Sequence, residues 1–573
     1  MAIDLNLFQE KTLQQILAET KKTTTEAERI AKAQQARTDM MYRAKVAAAN
    51  SVSQVNSLFV TWWKSQEIPG ITTREELLSR WFGTVLDDKR VHGSKTPLFK
   101  TSQAPKGEFL NDSIGMVCTP STASSAERDD FAYLPQFWAL EVSAEKLPDG
   151  SHKIHAVEFI DSTKDVRCGE YLTWVLQKNT YQYVRTDGQY RYRYTRCHPE
   201  FGYTRWKQGT DKNGKTYAYI ANPKYGGCIG PDGRITCGTG LKPALFLSHD
   251  SGVKLWRKRG QQYAGASGAL LEWQSAMFEL KYAVKGNSGV IEGCTYYWGQ
   301  YKAAVSEKGV QRIILSPSEA DKLLVGSTVS IGNLVPGQED RYYPCTRDLA
   351  ELVPITAIEE VKIGDVLYKA VTVDNGGTPF DTVAGTSAIS TMPYRSGYND
   401  TVLGYDGSRT NPTGGKEPGL IQRTEFQIGA YLILADELWK WSQPEPGGDY
   451  TLDVYVCKDQ SKVANSITPD YEIQEELRLT FPSSTKNGWL YIEDTAISKE
   501  GVCWPAKVSA EAGSGTGCKA GFYVAPSSDA IRAAWCCCTV SNGGLAGLRA
   551  RDTSSGARNS YWSGAPGAPG LNG

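Results

Sequence analysis

Polar and apolar positions fall into three successive textures along the 573 residues. The first is helical. Thr25 and Glu28 have the spacing of a capping box, in which a threonine hydroxyl and a glutamate each satisfy a free amide. From there to about Ser65 neither glycine nor proline interrupts the chain. Met41, Ala44, Ala48, Val52, Val55, Phe59 and Trp62 recur at steps of three or four. That stripe predicts one long, coiled-coil-like helix whose apolar seam takes a partner, here sister chains in a homo-dimer or trimer. Pro69-Gly70 ends it, and a short capped helix over 72–82 follows, stopped by Gly83.

The second texture is alternation. Residues 153–159 switch faces at every step, the signature of a half-buried strand. Residues 181–196 read as a hairpin turning at Asp187-Gly188, a favoured type I′ pair. Asn213-Gly214 marks a second turn, between strands at 203–206 and 215–219. One internal helix interrupts the strands. Leu270, Trp273, Met277, Leu280 and Val284 keep helical spacing, with Gly286 placed as its closing residue.

The third texture spans 301–392, where short Val/Ile strands alternate with glycine turns and predict a small inserted β-barrel or sandwich. The chain beyond is β-rich, with many Gly, Ser and aromatic residues. The fold class expected is α+β. A helical anchor at 1–68 leads into a mixed α/β body at 69–300, the β module at 301–392 and a C-terminal region at 393–573.

Charge changes the functional picture. With 63 basic and 63 acidic residues, nucleic-acid binding through net positive charge is not expected. The start, Met1-Ala2-Ile3-Asp4-Leu5, has no basic stretch followed by an apolar one, so no secretory signal is predicted. No run reaches the ~20 apolar residues needed to cross a bilayer, and membrane insertion is not expected. The 13 cysteines are scattered, which argues against a disulfide scaffold and for small buried hydrophobes.

Catalytic signatures are thin. Five histidines limit any triad, no G-x-S-x-G elbow occurs, and His249-Asp250-Ser251 reads as a polar loop. Cys197, His198, Cys228 and Cys237 lack the paired spacing of a zinc site. No catalytic residue, cofactor or metal ligand is assigned. The strand-like run Gln189-Tyr190-Arg191-Tyr192-Arg193-Tyr194 puts Tyr190, Tyr192 and Tyr194 on one face and two arginines on the other. The plainer reading is a hairpin with tyrosines inward and arginines outward; the other is a tyrosine row that grips a sugar or a protein. Tyr561 and Trp562, in the glycine-rich ending, join the candidate binding surface.

The segments from Thr239-Gly240-Leu241-Lys242-Pro243 through Arg257-Lys258-Arg259-Gly260 and Leu280-Lys281-Tyr282-Ala283 to Phe426-Gln427-Ile428-Gly429-Ala430-Tyr431 resemble virion structural proteins of phages that infect gut bacteria. Gly521-Phe522-Tyr523, Trp535 and the 543–562 stretch are similar to the end of C-type-lectin-like folds, without a clear acidic calcium motif. The resemblance implies a virion protein made in the host cytoplasm: a non-enzymatic head or tail fibre that contacts other virion proteins and a host-surface glycan or protein. A polysaccharide depolymerase and a decoration or connector protein that touches only other virion proteins are the alternatives.

Overall fold

The structure is a computed structural model that describes residues 2–98, 106–161, 165–337, 347–510, 518, 520–537, 539–554, 565–566 and 570. It contains two compact units, Met1–Asp88 and Lys89–Gly573.

The first unit holds α1 (Ala2–Ala47), α2 (Val52–Gln66) and α3 (Arg74–Arg80), the last running on into a π turn at Trp81–Val85. The expected single helix is broken at Ser51, whose backbone is extended (φ −151°, ψ 154°). Its hydroxyl accepts from the Gln54 amide, and the Gln54 side chain accepts from the Asn50 amide at 2.9 Å. A serine so placed starts a new helix. The apolar stripe is therefore divided. Val55, Phe59 and Trp62 are fully buried and pack within their own unit; Phe59 and Trp62 lie 5.1 and 5.4 Å from Trp81. Met41, Ala44 and Ala48 are exposed, and Val52 is half-buried. Thr25 does not cap. It lies inside α1 and donates to the Lys21 carbonyl at 2.8 Å, as Thr20 does to Ile16 and Thr23 to Glu19. A threonine that bonds back one turn needs no helix end. The capping box present is Thr73 with Glu76, at the start of α3.

These findings overturn the α+β expectation with a long coiled-coil-like segment. Strand makes up 35% of the chain and helix about 20%, so the protein is mainly β.

In the second unit the described residues form seven sheets, together with α4 (His249–Arg257) and α5 (Gly268–Tyr282). The largest sheet has ten strands, all from residues 432–566. Every residue of α5 is buried. Its Trp273, Met277 and Phe278 join a core that includes Trp439, Trp441 and Phe522 of the ten-stranded sheet. A helix buried on all sides carries no polar stripe to betray its orientation. Ala283, left-handed at φ 53°, ends it. Gly286 serves another purpose, since a side chain there would collide with the Cys518 carbonyl. Residues 300–391 build a six-stranded sheet over a core of their own, with Ile313, Val329, Ile331, Val371 and Ile389. Among the described residues no helix is long and apolar enough to cross a membrane.

Candidate functional site

Residues 91–97, 108–111, 181–186, 190–196 and 204–205 form a five-stranded sheet with strand Tyr190–Arg196 at its centre. The Asp187-Gly188 hairpin forms as the sequence suggests, with Gly188 at φ 86°. Side chains alternate across the sheet, but in the opposite sense to the plainer expectation: Arg191 and Arg193 are buried, while Tyr190, Tyr192 and Tyr194 are partly exposed.

Carboxylates behind the sheet explain the inversion. Arg193 donates to Glu279 at 2.6 Å and to Glu272, both on α5. Arg549 pairs with Glu279 from another strand, and Arg191 reaches Asp494 at 2.9 Å. Burial alone would raise the Glu279 carboxyl, but the guanidinium groups of Arg193 and Arg549 outweigh it and hold the group at about 2. A buried charge is tolerated when paired and hydrogen-bonded in this way. Alternation then forces the tyrosines outward.

The outward face is more aromatic than strand 190–196 alone. Register places Tyr183 beside Tyr194, and Tyr192 between Lys95 and Arg185. Tyr183 stacks on Tyr194 (6.2 Å between centroids) and meets Tyr203 at 5.2 Å. Each cation on the face sits over a ring: Lys95 on Tyr190, Arg185 on Tyr192, Arg205 on Tyr181 and Arg196 on Tyr203, at 3.7–5.6 Å. Gly93 is required here, because a Cβ would strike the Tyr194 ring and the Arg193 carbonyl. Asp187 accepts from the Tyr192 hydroxyl at 2.7 Å and from the Gln189 and Tyr190 amides. Those bonds draw its carboxyl down to about 2 and fix the turn at the rim. Phe201, fully exposed, stands on the loop next to Tyr203.

Six tyrosines and four cations thus share one partly exposed face of the sheet. Rings held by their neighbours lose little freedom on contact, and they offer both an apolar plane and a hydroxyl. Lys95 pairs with Glu108 and Arg196 with Glu200, so the face carries no strong net charge. The face therefore offers ring planes for stacking more than net charge for phosphate neutralisation.

The periodic reading identified Tyr190, Tyr192 and Tyr194. Tyr181, Tyr183 and Tyr203 were missed, although the hairpin register at Asp187-Gly188 brings Tyr183 opposite Tyr194. Tyr561 and Trp562 lie outside the described residues. Trp535 is buried against Tyr431.

One cluster among the described residues has ligand atoms close enough to hold a metal: Cys118, Asp129 and Asp406. The Lys281 ammonium occupies its centre, 2.9 Å from Asp129 and 2.6 Å from Asp406. The positive charge the carboxylates require comes from the chain itself. No protein-family model and no curated protein matches this chain.

Proposed function

We propose that this chain is a non-enzymatic attachment component of a tailed-phage particle, present in many copies, and that its tyrosine face grips a glycan of the host surface. The observation that carries the reading is the face itself: six tyrosines and four cations on one side of a sheet whose other side is pinned by buried ion pairs. Glycan rings present apolar C–H faces that stack on tyrosine, and their hydroxyls suit the phenol and guanidinium groups at the rim. Single contacts of this kind are weak and gain strength by repetition on one particle. The phage assignment draws on the sequence resemblance. The N-terminal unit is the part assigned to the particle, and the exposed Leu13, Ile16 and Leu17 of α1 supply apolar surface for that contact.

Antibody-labelled electron microscopy of purified particles tests the assignment. Label at regular positions on virions is the expected result. Particles that lack the protein would end the reading, and release of oligosaccharides from host envelope by the purified chain would replace it with a depolymerase.

A further inference from the structure

Strands Ala350–Ile363 and Val366–Val373 form a hairpin that closes on Gly364-Asp365, with Ile363 opposite Val366. Its inner half belongs to the sheet. Strand Thr328–Asn333 covers the first strand as far as Pro354, and strand Arg312–Leu315 covers the second from Lys369 onward. Its outer half has no such cover: among the described residues, no strand pairs with the outer edge of 357–363 or of 366–368. Residues 359–367 are exposed, except for the half-buried Val361; Val366 is 52% exposed and Leu367 48%. A two-stranded ribbon is marginal in water by itself, and an open edge is a template for another strand.

Register decides which strand fits. A two-residue turn makes Ile363 and Val366 a hydrogen-bonded pair, and bonded and non-bonded pairs then alternate along the ladder. The amides and carbonyls of Ile358, Glu360 and Lys362 therefore point toward the open edge. A second copy of that edge, antiparallel about a two-fold axis, must set these residues opposite one another. An axis at Glu359 or Glu360 would place that carboxylate against its own copy, and an axis at Lys362 would do the same to the ammonium. Like charges directly opposite are destabilising. An axis at Val361 sets Glu360 against Lys362 on both sides, with Val361 against Val361 between them. Within the chain, Glu360 stands opposite Lys369, which Asp321 already holds. Lys362 lies 3.8 Å from Asp365, both largely exposed, a contact worth little. The tip carries three acids, Glu359, Glu360 and Asp365, against Lys362, which disfavours an anionic lipid surface as the occupant.

We infer that this hairpin is a self-association arm, in which two chains join residues 357–363 edge to edge about a two-fold axis at Val361 and make one four-stranded sheet. Such a contact uses the same patch twice and is closed by its symmetry. Sedimentation equilibrium of the full chain over a concentration series tests it. Wild type is expected to dimerise. Glu360→Lys and Lys362→Glu each put like charges on both sides of the axis, and each should weaken the dimer about tenfold or more. The double variant Glu360→Lys/Lys362→Glu exchanges the charges and should restore wild-type association. Both positions are exposed, so all the variants should melt close to wild type. A wild type that stays monomeric, association unchanged by either single substitution, or a double variant as weak as the single ones overturns the arm. So does flotation with phosphatidylcholine–phosphatidylglycerol vesicles in place of dimerisation, which would make the occupant a membrane. No glycan enters the assay, so its outcome is separate from that of the adhesion reading.

Discussion

Arg193 and Tyr192 are neighbours in one strand and face opposite ways, so truncating each in turn separates the structural side of the sheet from the exposed one. Arg193→Ala removes the guanidinium that bonds Glu279 at 2.6 Å and also holds Glu272. Glu279 keeps Arg549. Glu272, one of whose oxygens already lacks a hydrogen bond, loses its ion pair with Arg193 inside the core. Removing one member of a buried ion pair costs about 3–5 kcal/mol, mostly as the penalty of the charge left behind. Unfolding entropy near the midpoint comes to roughly 1 kcal/mol per degree for a unit as long as Lys89–Gly573, so the expected fall in Tm is about 3–5 °C. Tyr192→Ala removes a half-buried ring, a bond to Asp187 and a contact with Arg185, all at the surface, and should lower Tm by much less than half of that. Differential scanning calorimetry of both variants reads the contrast. Equal losses, or a larger loss for Tyr192→Ala, would refute the assignment of the arginine side as structural.

Other expectations follow from the same structure. Because Lys281 fills the centre of the Cys118–Asp129–Asp406 cluster, EDTA should leave the melting curve of the purified chain unchanged; a drop in Tm on chelation would show a metal where the ammonium stands. Trp62→Ala removes a fully buried ring and should cost the N-terminal unit about 3–5 kcal/mol, read by urea unfolding. The mass seen by analytical ultracentrifugation should not change, whereas dissociation without loss of stability would restore the seam. Burial first, then the nearby Asp400, raises the Glu425 carboxyl to about 7. A raised carboxyl contributes stability that is complete below its ordinary value and lost as pH climbs through the folded one. Tm should therefore fall between pH 5 and pH 8, and that fall should shrink in Glu425→Gln; an undiminished fall would place its origin elsewhere.

The tyrosine face was half legible in the sequence, and the reason is specific. Period-two alternation of Tyr and Arg fixed which residues share a side, and Asp187-Gly188 fixed the hairpin. Neither says which side is buried. Hydrophobicity puts tyrosine inside, and here it loses to Glu272 and Glu279, some eighty residues away on a helix with no polar stripe. Arginine therefore points inward for a reason that no local window contains. The N-terminal stripe failed differently. Its spacing persists across Ser51, but spacing does not report whether the backbone stays helical, and a serine three residues before a glutamine is itself a helix start.

If the exposed tyrosines do the gripping, their loss must abolish adhesion while the protein stays folded. The most direct measurement is binding of the purified full chain to host cells and to polysaccharide extracted from them, wild type against Tyr183→Ala/Tyr192→Ala/Tyr194→Ala. A fall of about a hundredfold or more is predicted, since each stacked ring contributes on the order of 1 kcal/mol, with the melting curve largely preserved. Binding to both cells and polysaccharide at wild-type strength by the folded triple variant would contradict the account.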